Sequence, residues 1–231
     1  MKPHVICHMA ASVDGKTLLS RWKPEGRVAA GLFERLHDEL DGDSWLVGRV
    51  TGQEFAKGSA YSASAGGGFH RHASFVRRDA KAYGVVLDAK GKIAWGRADI
   101  GGDPIVVVLT EQVADAHLAG LRSEGVSYFF AGRTDLDLGL TLEILNRELG
   151  VKRLILEGGG VSNGAFLRAG FVDEISLILC PAIDGAKGAP SIFDSVEEIA
   201  GRSTPVGSMT LESHQLLEGG AIWLRYKVHN S

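Results

Sequence analysis

The first candidate for chemistry is a run of glycines at a strand-to-helix junction. Lys152 to Glu157 is a short apolar strand pattern that enters Gly158-Gly159-Gly160, and the next helix is expected from Ser162 or Asn163. Residues without Cβ let a bulky ligand approach the main chain. Free N–H groups at a helix N-terminus favour an anion such as a pyrophosphate. The alternative is a tight corner that needs positive φ and binds nothing. The helix should end at Ala169-Gly170, and Val172 to Cys180 forms a second apolar strand stopping at Pro181. Strand, turn, helix and strand in that order are the geometry in which α/β sheets present ligands at strand C-termini. No Gly-Lys-Ser or Gly-Lys-Thr follows the glycines, so a P-loop is excluded.

Two further stations lie at the ends of expected strands, Ser12 to Thr17 and Gly48 to Thr51. Arg49 with the Thr51 hydroxyl suits a phosphate, either a pyrophosphate or an adenosine 2′-phosphate. An exposed arginine beside a threonine N-cap is the competing reading. Asp14 and Lys16 are candidates for orienting substrate or relaying a proton, while an Asp-Gly turn residue capping its own backbone accounts equally for Asp14. Glu157 either hydrogen-bonds a substrate or braces the glycine turn. His8 falls inside a strand and reads as a hydrogen-bonded core histidine. His70-Arg71-His72 lacks nearby acidic or cysteine partners for a metal or phosphate site.

The elements that must position these residues alternate. His4 to Ala11 is a central strand, Arg27 to Leu40 a helix with apolar residues at helical spacing, and Ser44 to Val47 a strand. Lys57 to Phe75, rich in Gly, Ser and Ala, reads as a mobile loop or surface excursion. Val85 to Leu87 and Ile105 to Leu109 are buried strands. They are followed by a helix from Gln112 to Ser123, a strand from Val126 to Phe130 and a helix from Leu138 to Leu149. Met209 to Leu217 and Ala221 to Val228, joined by Glu218-Gly219-Gly220, form an antiparallel hairpin. The fold expected is a three-layer α/β/α sandwich with a mixed, mainly parallel sheet, in one domain spanning residues 1–231.

Composition narrows the function classes. A net charge of −3 with interleaved signs gives no basic field for nucleic acid or an anionic membrane. Cys7 and Cys180 sit in apolar runs, and no zinc or redox motif is present, so no metal is expected. The apolar run at the start is too short for a signal sequence or a membrane span, which makes the cytoplasm the default location.

Three strings carry a resemblance. LVGRVTGQEF is similar to the cofactor-binding turn of dihydrofolate reductases. LEGGGVSNGAFLRAGFVDEISLILCPAIDG, together with AASVDGKT, resembles the C-terminal reductase domain of the bifunctional riboflavin-biosynthesis deaminase/reductase. The resemblance runs through most of the chain and weakens between Lys57 and Tyr83. It implies a dihydrofolate-reductase-like fold and reduction of a phosphoribosylamino-uracil to its ribitylamino form with NADPH. It further implies a homodimer paired through its sheets.

Position by position, the resemblance implies that Ala10, Trp22, Gly48, Thr51 and the turn Gly158, Gly159, Gly160, Val161, Ser162, Asn163 and Gly164 contact NADPH. Arg49 joins them by its match to the dihydrofolate reductase turn, and Ser20 and Glu157 face the substrate. Two departures stand out. The arginine that meets the substrate phosphate falls at Glu39 or its neighbours, and the acid that binds pterin in dihydrofolate reductases falls near the apolar Leu32. Pteridine reduction and a nucleotide-binding module without turnover are the competing activities.

Overall fold

Runs of branched apolar residues become buried strands, and the helices between them cover their faces. The computed structural model describes residues 1–25, 29–61, 70–196 and 203–231. Its contacts divide the chain into two units, Met1–Pro3 with Asp43–Leu154, and His4–Gly42 with Ile155–Ser231. Neither unit is continuous in sequence, which is why no linker marks them.

In the first unit, β2 (Ser44–Gly48), β3 (Gly84–Leu87), β5 (Asp103–Leu109) and β6 (Ser127–Phe130) pair in parallel. From Ile105 to Leu109 every residue of β5 is buried, as expected of a parallel strand covered on both faces. The two-residue β4 (Asp99–Ile100) folds back on β5 around Gly101-Gly102, both at positive φ. The helices here are α2 (Arg49–Phe55), α3 (Asp115–Ser123) and α4 (Leu138–Leu149). Helix α4 matches its expected span because both ends carry local signals. Asp137 accepts from the Leu140 N–H at 2.8 Å, and Gly150 closes the helix at φ 71°. Helix α3 starts three residues later than expected, since Thr110 to Val113 are spent on a turn closed by the Val113 N–H on the Thr110 carbonyl.

In the second unit the strand order is the Ile155-Leu156 end of β7 (Arg153–Leu156), then β1 (His4–Ser12), β8 (Glu174–Cys180), β10 (Ile222–Asn230) and β9 (Val206–Leu216). Strand β1 runs parallel to β8, while β10 is antiparallel to both β8 and β9, so the expected C-terminal hairpin is present and the sheet is mixed. Helix α1 (Leu32–Glu39) buries Leu32 and Leu36, with Leu40 buried at its cap. It begins at Leu32 and not near Arg27, because Gly31 sits at φ 72°, a left-handed conformation that breaks a helix. Residues 27 and 28 of that expected helix lie outside the described ones. Helix α5 (Gly160–Arg168) begins two or three residues earlier than expected.

The segment read as a mobile loop or a surface excursion is pinned at both described ends, with residues 62–69 outside the description. The Tyr61 hydroxyl bonds Glu124 and accepts from the Trp95 N–H, and Ser74 exchanges two 2.8 Å backbone bonds with Tyr128. The Arg71 guanidinium, in the segment whose sequence argues against a metal or phosphate site, meets Asp115 at 2.6 Å and the Val113 and Glu111 carbonyls at 2.9 Å. Its role is to fasten this segment to α3 and the turn before it. No helix among the described residues is long and apolar enough to cross a membrane.

Candidate functional site

Within the second unit, β1 and β7 deliver their C-terminal residues to neighbouring turns. Strand β1 ends at Ser12, and the chain reverses at Gly15 (φ 74°) with the Ser12 N–H bonded to the Lys16 carbonyl. The Asp14 carboxylate accepts from the Ser12 hydroxyl at 2.6 Å, the Gly185 N–H at 2.8 Å and the Asp184 N–H at 3.1 Å. The Ser12 hydroxyl, more than any other contact, pulls its pKa down to about 2. Asp14 is therefore ionised at neutral pH, has no proton to give, and ties the β1 turn to the loop after β8. Lys16 points its ammonium at the Ala189 carbonyl, 3.2 Å away. Ser20 lies exposed in the short 3-10 turn Leu19–Arg21.

Strand β7 ends at Leu156, placing Glu157 just ahead of the glycines. Its side chain is only 13% exposed, and Oε1 lies 2.7 Å from Nδ1 of His37 on α1. Burial raises the Glu157 pKa first of all. The bond to His37 and its charge lower it, and Glu34, one turn earlier on α1, raises it by like-charge repulsion. A carboxyl held toward its protonated form beside an imidazole is an arrangement suited to proton transfer. Sequence reasoning picked out Glu157 and missed His37. The signal that was available is the spacing of Glu34 and His37, three residues apart and hence on one helix face.

His8 shows what a silent histidine looks like in the same unit. It is fully buried, with Nδ1 2.9 Å from the Ser176 hydroxyl and Nε2 3.2 Å from the Phe33 carbonyl, and its ring stacks on Phe33. Trp223 Nε1 donates to the Ser176 oxygen at 2.8 Å, which leaves the Ser176 O–H to donate to Nδ1. Nε2–H then serves Phe33, so every position is filled with the ring neutral. Burial lowers the His8 pKa to about 4. It is the core histidine the sequence implies, and it fastens α1 to β1.

The glycine turn divides by role. Gly158 has φ 100°, and an added Cβ would meet only the Met9 side chain at ordinary contact distance. A Cβ on Gly160 would lie 2.2 Å from the Ser191 carbonyl oxygen, and one on Gly164 1.9 Å from that of Asp194. Those two glycines let the loop Ser191 to Asp194 cross α5, where the Asp194 N–H bonds the Gly160 carbonyl at 2.9 Å. Gly160 is thus helical in spite of its poor propensity, because packing there tolerates nothing larger. Asn163 is buried and donates to the Ile192 carbonyl at 2.9 Å, also holding that loop. Val161 is 48% exposed, and Ser162 is half-buried.

Does this turn fit a dinucleotide? Gly159 caps α5 without any side-chain bond, and no acidic residue occupies the first turn. Among the described residues the N–H groups of Gly160, Val161 and Ser162 find no acceptor. Trp22 is 3% exposed, yet its indole Nε1 is buried without a partner among the described residues. Ala10 lies half-buried on β1 opposite Ile178. Three unsatisfied main-chain donors at a positive helix end, next to a glycine surface, suit a diphosphate.

In the first unit Gly48 is the N-cap of α2, and Thr51 sits in the first helical turn, so the threonine-cap alternative is not realised. The Arg49 guanidinium is exposed and has no hydrogen-bond or ion-pair partner among the described residues.

The family described as the RibD C-terminal domain matches residues 3–221. A 2,5-diamino-6-ribosylamino-4(3H)-pyrimidinone 5′-phosphate reductase of Methanothermobacter thermautotrophicus is 34% identical over 99 residues, covering 42% of this chain and 45% of that protein. A protein of the same name from Archaeoglobus fulgidus is 22% identical over 194 residues, covering 84% of this chain and 87% of the relative. Among solved structures, a pyrimidine reductase-like protein from Corynebacterium diphtheriae superposes with a TM-score of 0.72 at 18% identity, over 99% of this chain and 93% of that one. That last likeness concerns the fold.

Proposed function

The chain belongs to the RibD C-terminal domain family, and on that premise we propose that it is an NADPH-dependent reductase of a ribosylamino-pyrimidine 5′-phosphate. The observation that carries this reading is the family match over residues 3–221, in which Glu157 and the glycine turn stand side by side. Both relatives described above carry reductase names of that substrate class.

NADPH, when bound, supplies a hydride to the sugar carbon that is an imine once the ribose ring opens. The chain's own residues have the remaining work. The free N–H groups at the start of α5 bind the diphosphate, and Trp22 offers its unpaired indole N–H to the cofactor. The family resemblance assigns Ala10 and Thr51, each within its own unit, to contacts with the cofactor. Arg49 takes the 2′-phosphate by a charge-assisted contact, which gives the preference over NADH. Glu157 hydrogen-bonds the substrate, and Ser20 adds a hydroxyl. Asp14 and Lys16 keep the β1 turn in shape, Asp14 as a fixed negative charge.

The apolar Leu32, 1% exposed, leaves no acid where pterin would need one, which disfavours pteridine reduction. We place the enzyme in the cytoplasm as a homodimer. The long outer strand β9, with Met209, Leu211 and Leu216 each at least 45% exposed, is an edge suited to such pairing.

The test is NADPH oxidation, followed at the nicotinamide band, with the phosphoribosylamino-uracil and diaminopyrimidinone substrates. Oxidation with one of them is expected. Tight NADPH binding without oxidation across that panel would favour a module without turnover, which the lack of a phosphate-binding arginine at Glu39 or its neighbours otherwise motivates. Arg49→Ala should weaken NADPH much more than NADH, and equal losses would remove the 2′-phosphate assignment.

A further inference from the structure

Reduction of an imine needs a proton as well as a hydride, and the groups around Glu157 narrow where that proton can come from. Asp14 is excluded because its three donors keep it ionised. His8 is excluded because each of its ring nitrogens already has a hydrogen-bond partner. Cys7, also on β1 and fully buried, has a thiol pushed far up by burial and then by the Glu157 charge, so it stays protonated and inert. Glu34 on α1 acts on Glu157 only as a repelling charge. His37 and Glu157 remain, 2.7 Å apart and 25% and 13% exposed.

Holding α1 in place does not require this pair. Leu32, Leu36 and Leu40 already bury the inner face of the helix, and the His8 bond to the Phe33 carbonyl fixes its first turn. Putting a carboxyl and an imidazole in a mostly dry position carries a desolvation cost that an apolar pair would avoid.

We infer that His37 and Glu157 hold one proton in common, that Glu157 passes it to the substrate nitrogen, and that His37 is the positioning residue that reloads it. This rests on the reductase reading. As hydride reaches the sugar carbon, one C–H bond forms and the C=N π pair moves to nitrogen. The nitrogen takes the proton from the Glu157 carboxyl, giving an N–H bond and a C–N single bond, with reduced nicotinamide as the two-electron donor. The pair is then one proton short, and His37, the more open member, takes the replacement from water.

Two variants separate this role from a structural one. His37→Asn keeps an N–H donor close to the position of Nδ1, so a merely structural bond to Glu157 survives while the mobile proton is lost. NADPH affinity, read by fluorescence titration, should stay within a few-fold of wild type and report that the variant is folded. The value of kcat should fall about 100-fold or more with little change in KM, and the pH profile should lose the limb that reports the pair. Wild-type kcat and pH profile in His37→Asn would overturn the inference. The second measurement needs no substrate: the His37 ring is titrated by NMR in the ligand-free protein and in Glu157→Gln. Removing the carboxylate should lower the ring's titration midpoint by about one unit or more. An unmoved midpoint would overturn the shared proton even if wild type is an active reductase. Wild type inert toward every acceptor would instead sink the reductase reading itself.

Discussion

Asp14 and Glu157 are two carboxyls in the same unit, each at the end of a strand and each in a turn that ends in a helix or bends at a glycine. The sequence presents them as equivalent candidates. Asp14 lies on the surface with three donors around it, so its pKa falls to about 2, and it is a permanent charge. Glu157 is mostly buried and has one imidazole partner, so its pKa rises, with burial as the largest cause. Two environments have pulled two similar groups in opposite directions, and the roles we propose follow that separation, a brace for Asp14 and a proton carrier for Glu157.

The comparison can be broken most directly in turnover. Glu157→Gln should cost about 10²- to 10⁴-fold in kcat while NADPH affinity stays within a few-fold, measured by steady-state kinetics and fluorescence titration. Asp14→Asn should leave kcat within about ten-fold at neutral pH, because the expected loss is turn geometry and not a proton. A collapse of kcat in Asp14→Asn with intact NADPH binding would reverse the two roles.

Stability against pH sharpens the same contrast. The lowered Asp14 pKa means its contribution is present above the unfolded value of 3.8 and is lost as pH falls toward about 2. Acid unfolding of Asp14→Asn should therefore differ from wild type least below that window and most above it. For Glu157 the sign is opposite: its raised pKa favours the folded state below the unfolded value of 4.5, and that advantage is lost as pH rises through the folded value. Relative to wild type, Glu157→Gln should gain in thermal midpoint as pH rises above the unfolded value of 4.5, even as activity disappears. A parallel loss of both would mark Glu157 as a brace like Asp14.

The glycine turn supplies a smaller, local check. Gly160→Ala should destabilise by about 1–3 kcal/mol in denaturant titration, since its Cβ would meet the Ser191 carbonyl at 2.2 Å. At Gly158 only the flexible Met9 side chain stands near, at 3.4 Å, so Gly158→Ala should cost about 1–2 kcal/mol from its positive φ alone.

Much of this was legible in the chain. Helix α4 is readable end to end because Asp137 and Gly150 act on their own neighbours. Strands β3, β5, β7 and β8 are readable because branched apolar runs have few other places to go. The starts of α1 and α5 were misplaced for opposite reasons. Gly31 breaks a periodic pattern that looks continuous, while Gly160 joins a helix that propensity argues against, because a loop thirty residues away lies on it.

The sequence by itself determined the alternation of elements, the glycine turn at the mouth of β7, the family and the short roll of candidate residues, since those depend on local periodicity and on motifs. Tertiary structure alone decided what each candidate can do. It brought His37 to Glu157 across 120 positions, filled every hydrogen-bonding position of His8, and surrounded Asp14 with donors from a loop 170 residues away. Protonation depends on burial and neighbouring charge, and neither is a property of a residue's place in the chain.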